Sequence, residues 1–515
     1  MRQATLPLLL SLLALLADLA DALHIGITGQ RAPARRGLRR RAALTGTTVL
    51  SNSADIIYST NITLGGNQFS VIIDTGSSDL YVTGTVPGSK DTGKSASVQY
   101  AIGKVAGPIK FGDLDFAGYT VQDQAYLEVP VSPSNAVGSG LIGLGPNFGS
   151  QIHEALGSSA GDTVLDRIFQ QNTSTPNYLT ILLGRHDDPT DTFPGDLTVG
   201  EILPGYEEIT SQPKLNVSQV SVNDQGDQHW QTLLDPNGII GPDGKAIDIN
   251  TVVQSTSNKK QLTAVFDSGF SLPQVPSSVS SAIYSDVPGA QLVKDSDLGE
   301  IWTIPCDVEI NISFNFGGKN IPIHPLDTSL DMNATDDNGH RVCIGAFQPI
   351  STAASPNFDM VLGMGFLRNV YFYVNFGDFV DGKLNQTADP YIQLLATTND
   401  TAEAHSDFVK VRGSSKAWDP SSDSILQRIR AHLPLVIAIA VAAGVVLIGA
   451  IAFCCLRNRR LSKTPAGFMN FQSSYQPLHE PAPPSYDMSS MGGGGGYGHQ
   501  PQQHANYNNP WDSHY

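Results

Sequence analysis

The feature that most constrains this chain is a repeated turn. "VIIDTGSS" at Val71 to Ser78 and "AVFDSGFS" at Ala264 to Ser271 each run three apolar residues into an aspartate, a small hydroxyl residue and a glycine. The two lie about as far apart as one ordinary domain is long, which predicts two related lobes, each with a buried strand delivering a carboxylate at its tip. Glycine permits the close backbone approach such a turn needs. A third copy, Asp91-Thr92-Gly93 in "PGSKDTGKSAS", has polar, turn-forming neighbours and nothing that would bury it. If the first two turns face each other across an approximate two-fold axis, Asp74 and Asp267 reach one water. Two carboxylates that close cannot both ionise easily, so they share a proton and offer a base and an acid together.

Two segments are set aside before any fold argument. "MRQATLPLLLSLLALLADLADA", residues 1–22, places Arg2 before a leucine-rich stretch and small residues at Ala20 and Ala22, and reads as a cleaved secretory signal. "LPLVIAIAVAAGVVLIGAIAFCCL", residues 433–456, is uncharged and long enough for a hydrocarbon core that needs roughly 20 residues. With "RNRR" following at Arg457 to Arg460, the expected product is a single-pass type I membrane protein of the secretory pathway. Its location is then the cell surface or a vacuolar or endosomal membrane, with the main body lumenal or extracellular. In that oxidising space Cys306 and Cys343 are expected to form one disulfide. Cys454 and Cys455, at the inner edge of the span, are either acylation sites or plain apolar residues. Sequons at Asn61, Asn172, Asn216, Asn311, Asn333, Asn385 and Asn399 all fall on the lumenal side.

The chain has 515 residues, a net charge of −17 and a pI near 5.0, which makes nucleic acid an unsuitable partner. Residues 23–41 carry a basic cluster, Arg35-Arg36 and Arg39-Arg40-Arg41, and read as a short propeptide open to a kexin-type processing cut. From 42 to 400 the pattern is mostly β: short β-branched and aromatic runs broken by Gly, Pro, Asn and Asp, with helices expected only at Thr163 to Gln171 and Val279 to Val287. This length exceeds one core, so an N-terminal lobe over 42–205 and a C-terminal lobe over 206–400 are expected, then a polar stalk over 401–432. Residues 457–515 form a Gly, Gln, Asn and Tyr-rich cytoplasmic tail expected to be disordered. Within it Pro483, Pro484 and Tyr486 fit the Pro-Pro-x-Tyr pattern read by WW domains, a possible tail partner. The histidines show no ligand spacing and no phosphate-cradling loop precedes a helix, so neither metal nor cofactor is expected.

The paired motifs resemble those of the pepsin-like aspartic proteases, membrane-anchored in the fungal manner. Asp74-Thr75-Gly76-Ser77 is similar to the family's first catalytic motif and Asp267-Ser268-Gly269 to its second. The resemblance implies a bilobal fold with pseudo-two-fold symmetry and a water activated between Asp74 and Asp267. Thr75, Gly76, Ser77, Ser268, Gly269 and Ser271 would support that dyad. Leu141-Ile142-Gly143 and Val361-Leu362-Gly363 resemble the elements that complete each lobe's psi-shaped loop, Tyr100 the flap tyrosine, and Cys306 with Cys343 the disulfide of the C-terminal lobe. The implied activity is hydrolysis of peptide bonds in protein or peptide substrates at acidic pH. The alternative is a pepsin-like surface or cargo receptor that no longer cuts.

Three positions depart from the family. Phe270 stands where a hydroxyl residue is usual and cannot donate to Asp267, which favours a higher working pH. Ala101 and Ile102, then Lys104, replace the usual glycine after the flap tyrosine, and the propeptide is short.

Overall fold

The computed structural model describes residues 46–413 apart from 54, 101–103, 133, 172–174, 190–192, 296–298, 336–339, 351–355 and 378–387. The expected signal, basic segment, membrane span, tail cysteines and Pro-Pro-x-Tyr motif lie outside them. Among the described residues no helix is long and apolar enough to cross a membrane.

Alternation builds the first lobe. In the strand Ile57–Leu64 every second residue (Tyr58, Thr60, Ile62, Leu64) is buried, and in Asn67–Asp74 Phe69, Val71 and Ile73 point inward. These two strands pair antiparallel within an eight-stranded sheet, where Asn67–Asp74 also pairs parallel with Ser139–Gly143, Ile73 opposite Ile142. The second lobe repeats the central part. Thr263–Phe266 pairs parallel with Met360–Leu362, Phe266 opposite Leu362, inside a five-stranded sheet. Each aspartate therefore leaves the end of a buried strand beside a parallel partner that carries the apolar-apolar-glycine element. A six-stranded sheet joins the lobes: Thr47–Val49, Gly195–Val199 and Tyr178–Leu183 from the first, then Val370–Asn375, Tyr391–Ala396 and Leu215–Asn216 from the second.

Phe266 packs into the main core, which is continuous across both lobes, with ring centroids of Phe316, Phe366 and Phe372 at 5.7, 5.8 and 5.4 Å. Trp230 ties the lobes together, its indole N–H donating to Leu144 O at 2.9 Å.

Five α-helices are described: α1 (Gln151–Leu156), α2 (Val164–Gln171), α3 (Ser277–Tyr284), α4 (Met364–Leu367) and α5 (Thr401–Arg412). α2 and α3 stand where helices were expected, α3 beginning two residues earlier. Residues 414–432 lie outside the described residues, and α5 corrects the first part of the stalk. Its Ala404, Asp407 and Phe408 are buried. The Arg412 guanidinium donates to Asp331 Oδ2 at 2.8 Å and to Ser329 O at 3.0 Å. The polar stretch was read as stalk because only two apolar side chains seat the helix. Its start was nonetheless visible, since Asp400 caps the N-terminus by accepting from the amides of Ala402 and Glu403 at 2.9 and 3.1 Å.

Under α5 lies the disulfide between Cys306 and Cys343. Arg412 reaches Cys343 Sγ at 3.3 Å.

Candidate active site

The two repeated turns meet. Thr75 Oγ1 donates to Phe266 O at 2.9 Å and accepts from the Ser268 amide at 2.9 Å. Ser268 Oγ donates to Ile73 O at 3.0 Å and accepts from the Thr75 amide at 3.1 Å. Each hydroxyl thus satisfies backbone of the other lobe in a fully buried place, and the two strand ends cannot separate without breaking four buried hydrogen bonds. The approach also dictates glycine. A Cβ on Gly76 would collide with the Asp267 carboxylate, and one on Gly269 would stand 2.6 Å from Asp74 Oδ1.

Above this grip, Asp74 and Asp267 are each about 5% exposed and within hydrogen-bonding reach of each other. Their surroundings differ. Asp74 accepts from the Gly76 amide at 2.9 Å and from Ser77 Oγ at 2.5 Å. Asp267 accepts from the Gly269 amide at 2.7 Å, and where Ser77 serves Asp74 it has Phe270. Burial raises the Asp74 carboxyl, with Ser77 and Gly76 pulling the other way. Burial and the neighbouring Asp74 charge hold the Asp267 carboxyl well above the usual range. Two carboxyls this close and this buried disfavour ionising together.

The completing elements lock these turns. Leu144 N donates to Asp74 O at 2.7 Å and Gly145 N to Ser77 O at 2.8 Å. In the other lobe Asp267 N donates to Leu362 O at 3.1 Å and Met364 N to Phe270 O at 2.8 Å.

Tyr100 stands at the end of the antiparallel pair Lys90–Gln99 and Lys104–Phe116. Its ring packs 6.0 Å from that of Tyr81. Its hydroxyl is buried, with Ser77 of the first turn as its polar neighbour. Burial and the Asp79 and Asp74 carboxylates push it well up. Ala101 and Ile102 lie outside the described residues. The decoy Asp91 is exposed on the same pair and accepts from the Gly93 amide at 2.8 Å.

Ser271 is a correction. Its hydroxyl donates to Ile56 O at 2.7 Å instead of supporting either carboxylate, because the chain before Ile57–Leu64 runs beside it and offers an unpaired carbonyl.

Two functional-looking residues were missed. His229 sets its ring against the Gly76 backbone and edge-on to Phe358 at 5.9 Å; the residue keeps some exposed surface, but enclosure of the ring pushes it down to about 4. Asp79, five residues beyond Asp74, is about 1% exposed and accepts from Ser150 Oγ, Gln151 N and Ile152 N. A single histidine or aspartate without a local pattern gave no sequence signal for either.

Residues 86–380, more than half of the chain, match the model of the eukaryotic aspartyl protease family. The chain belongs to that family. The matched span includes Asp267 and begins after Asp74, whose place beside Asp267 comes from the geometry above. The protease is 26% identical over 376 residues to major aspartyl peptidase 1 of Cryptococcus neoformans var. grubii, covering 68% of this chain and 72% of that protein. It is 25% identical over 370 residues to pepsin A of Sus scrofa, covering 67% and 85%. In fold it is similar to the aspartic proteinase from Irpex lacteus, at a TM-score of 0.51 and 18% identity over 70% of this chain and 99% of that one. The protease is accordingly an aspartic endopeptidase with a mostly β, pepsin-like fold.

Proposed function

We propose that Asp74 and Asp267 are the catalytic dyad of an acid endopeptidase anchored in a membrane as a type I protein. The observation that carries the reading is the unequal pair: Asp74 accepts from a hydroxyl and an amide, which favour its charged form, while Asp267 beside it accepts from the Gly269 amide and has no hydroxyl donor at position 270. A water between them loses its proton to Asp74 as its oxygen bonds to the substrate carbonyl carbon, while Asp267 donates to the developing oxyanion. As the C–N bond breaks, the proton on Asp74 passes to the leaving nitrogen and the hydroxyl formed from the substrate oxygen returns its proton to Asp267, restoring the starting pair. This division of labour is the handling of paired carboxylates expected of a shared-proton site.

The substrate is a protein or peptide segment lying extended between the lobes under Tyr100, held by main-chain hydrogen bonds as an added strand is. A secretory route is supported by the sequons, since Asn61, Asn216, Asn311, Asn333 and Asn399 are all exposed. Anchorage rests on the apolar run over 433–456, and a WW-domain partner rests on Pro483, Pro484 and Tyr486.

Incubating purified full-length protein with a mixed peptide library from acid to neutral pH, with products read by mass spectrometry, tests the proposal. Internal cleavage in acid, blocked by a statine-type inhibitor, is expected. Folded protein that cuts nothing at any pH would favour the receptor reading.

A further inference from the structure

The short helix α1 lies between the dyad turn and the strand that carries Tyr100, and each of its ends is held by one of them. At its N-terminus the buried Asp79 carboxylate accepts from Ser150 Oγ at 2.6 Å, Gln151 N at 2.9 Å and Ile152 N at 3.1 Å. Ser150 in turn caps the His153 amide at 2.9 Å. A carboxylate there satisfies amides that the helix cannot pair internally. At the C-terminus Lys94, on the Lys90–Gln99 strand, donates to Ala155 O at 2.6 Å and Leu156 O at 3.3 Å. Between those ends Ile152, Ala155 and Leu156 pack into one apolar cluster with Tyr81, Ala96, Val98 and Tyr100.

The backbone closes the circuit on the other side. Gly143 N donates to Asp79 O at 3.0 Å, Leu144 N to Asp74 O at 2.7 Å, and Ser77 Oγ reaches the Asp74 carboxylate. Asp79 therefore sits in the same rigid turn as Asp74 while its side chain grips α1.

We propose that Asp79 is a positioning residue that couples the dyad turn to the Tyr100 strand, with α1 as the brace and Lys94 as its second anchor. The proposal rests on the reading of Asp74 and Asp267 as the dyad and of Tyr100 as lying over bound substrate. Asp79 touches neither substrate nor the reacting atoms. Its effect is to fix how far Tyr100 stands from the carboxylates before a peptide arrives, so that binding does not have to order that strand. Burial raises the Asp79 carboxyl while Ser150, Gln151 and Ile152 pull it down, and after burial its charge is the next cause that pushes the Tyr100 hydroxyl up. The other titratable neighbours are Asp74 in the same turn, Tyr81 beside Tyr100, and His153 of α1, which stands 2.8 Å from Asp162.

The test measures kcat and KM of the full-length protease on one cleaved peptide, with active sites counted by titration with a tight statine-type inhibitor. Wild type is compared with Asp79→Asn, Lys94→Met and the double variant. Asp79→Asn keeps the side chain's shape but turns one acceptor into a donor facing an amide or a hydroxyl. Its KM is expected to rise about tenfold, with kcat per titrated site within about threefold of wild type. Lys94→Met, at an exposed position that threatens folding little, is expected to raise KM in the same direction by a smaller factor. Because both act through α1, the double variant should raise KM by less than the product of the two single effects.

An unchanged KM in both single variants, with only fewer titrated sites, would reduce Asp79 to a residue of general stability and overturn the proposal. So would KM effects that multiply independently. If Asp79→Asn does not fold, an unchanged KM for Lys94→Met overturns the brace by itself. A wild-type chain that cleaves nothing would instead remove the protease reading beneath it, which separates the two failures.

Discussion

Thr75 and Ser268 hold the two lobes together by exchanging hydrogen bonds: each hydroxyl accepts from the other residue's amide, at 2.9 and 3.1 Å, beneath the facing carboxylates. Neither residue can satisfy its own turn alone, so the relative position of Asp74 and Asp267 is a property of the pair.

Thr75→Val removes one hydroxyl at nearly constant volume and leaves the buried Ser268 amide and Phe266 carbonyl without their partner. The expected loss is about 1–3 kcal/mol of stability. A drop in kcat/KM of about a hundredfold should accompany it, because a small misplacement of a catalytic group is enough. Denaturant unfolding and peptide hydrolysis measure the two effects, and a variant equal to wild type in both would contradict the grip.

Phe270→Thr supplies Asp267 with the kind of donor that Ser77 gives Asp74. A donor to the carboxylate favours its charged form, so the Asp267 carboxyl should fall from its raised position and the alkaline limb of kcat/KM should move towards acid. A pH profile that superimposes on that of wild type would show position 270 to be irrelevant to the dyad.

The same raised carboxyl fixes the sign of a stability effect. In the unfolded chain Asp267 loses its proton near the ordinary carboxylate value, whereas the folded state keeps it to higher pH. The fold therefore loses stability as pH rises from the ordinary value through the raised one. Asp267→Asn should flatten the fall in melting temperature between acid and neutral pH. An equally steep fall in the variant would contradict the assignment of the retained proton to this pair.

Asp327 tests the opposite case. Burial acts to raise it, but Arg185 and Arg368 outweigh burial and hold its carboxyl below the usual range. Both guanidinium Nε groups donate to it at 2.6 Å, and Asn369 Nδ2 at 2.9 Å. Asp327→Asn leaves the buried Arg368 and the half-buried Arg185 short of their partner and should cost about 3–5 kcal/mol at neutral pH. The stability that Asp327 contributes is present above the ordinary carboxylate value and lost as pH falls through its lower folded value, so the variant's deficit should shrink in strong acid. Denaturation at the two pH values checks this.

What could be read from the sequence follows a physical line. Asp74 and Asp267 were legible because a turn is local: the apolar lead-in, hydroxyl and glycine that make each one are adjacent in the chain. The strands around Ile57–Leu64 and Asn67–Asp74 were legible as short β-branched and aromatic runs between turn residues. The six-stranded sheet was not, because Val370–Asn375 is almost wholly buried and a continuous apolar run carries no information about its partner. Ser271 was misjudged because adjacency to Asp267 does not decide which carbonyl a hydroxyl finds. Asp79, Asp327 and His229 act through contacts with distant segments, and single residues leave no periodicity. α5 was missed for the weakness of its apolar face, and Asp400 followed three residues later by Glu403 is the signal that would have marked its start.

The most direct test of the central claim is hydrolysis of one defined peptide in acid by wild type, Asp74→Asn and Asp267→Asn, each shown to be folded and each supplied at equal concentration. The account predicts cleavage by wild type and a loss of several orders of magnitude in both variants, since neither remaining carboxyl can act as acid and base at once. Substantial cleavage by either folded variant would contradict the dyad.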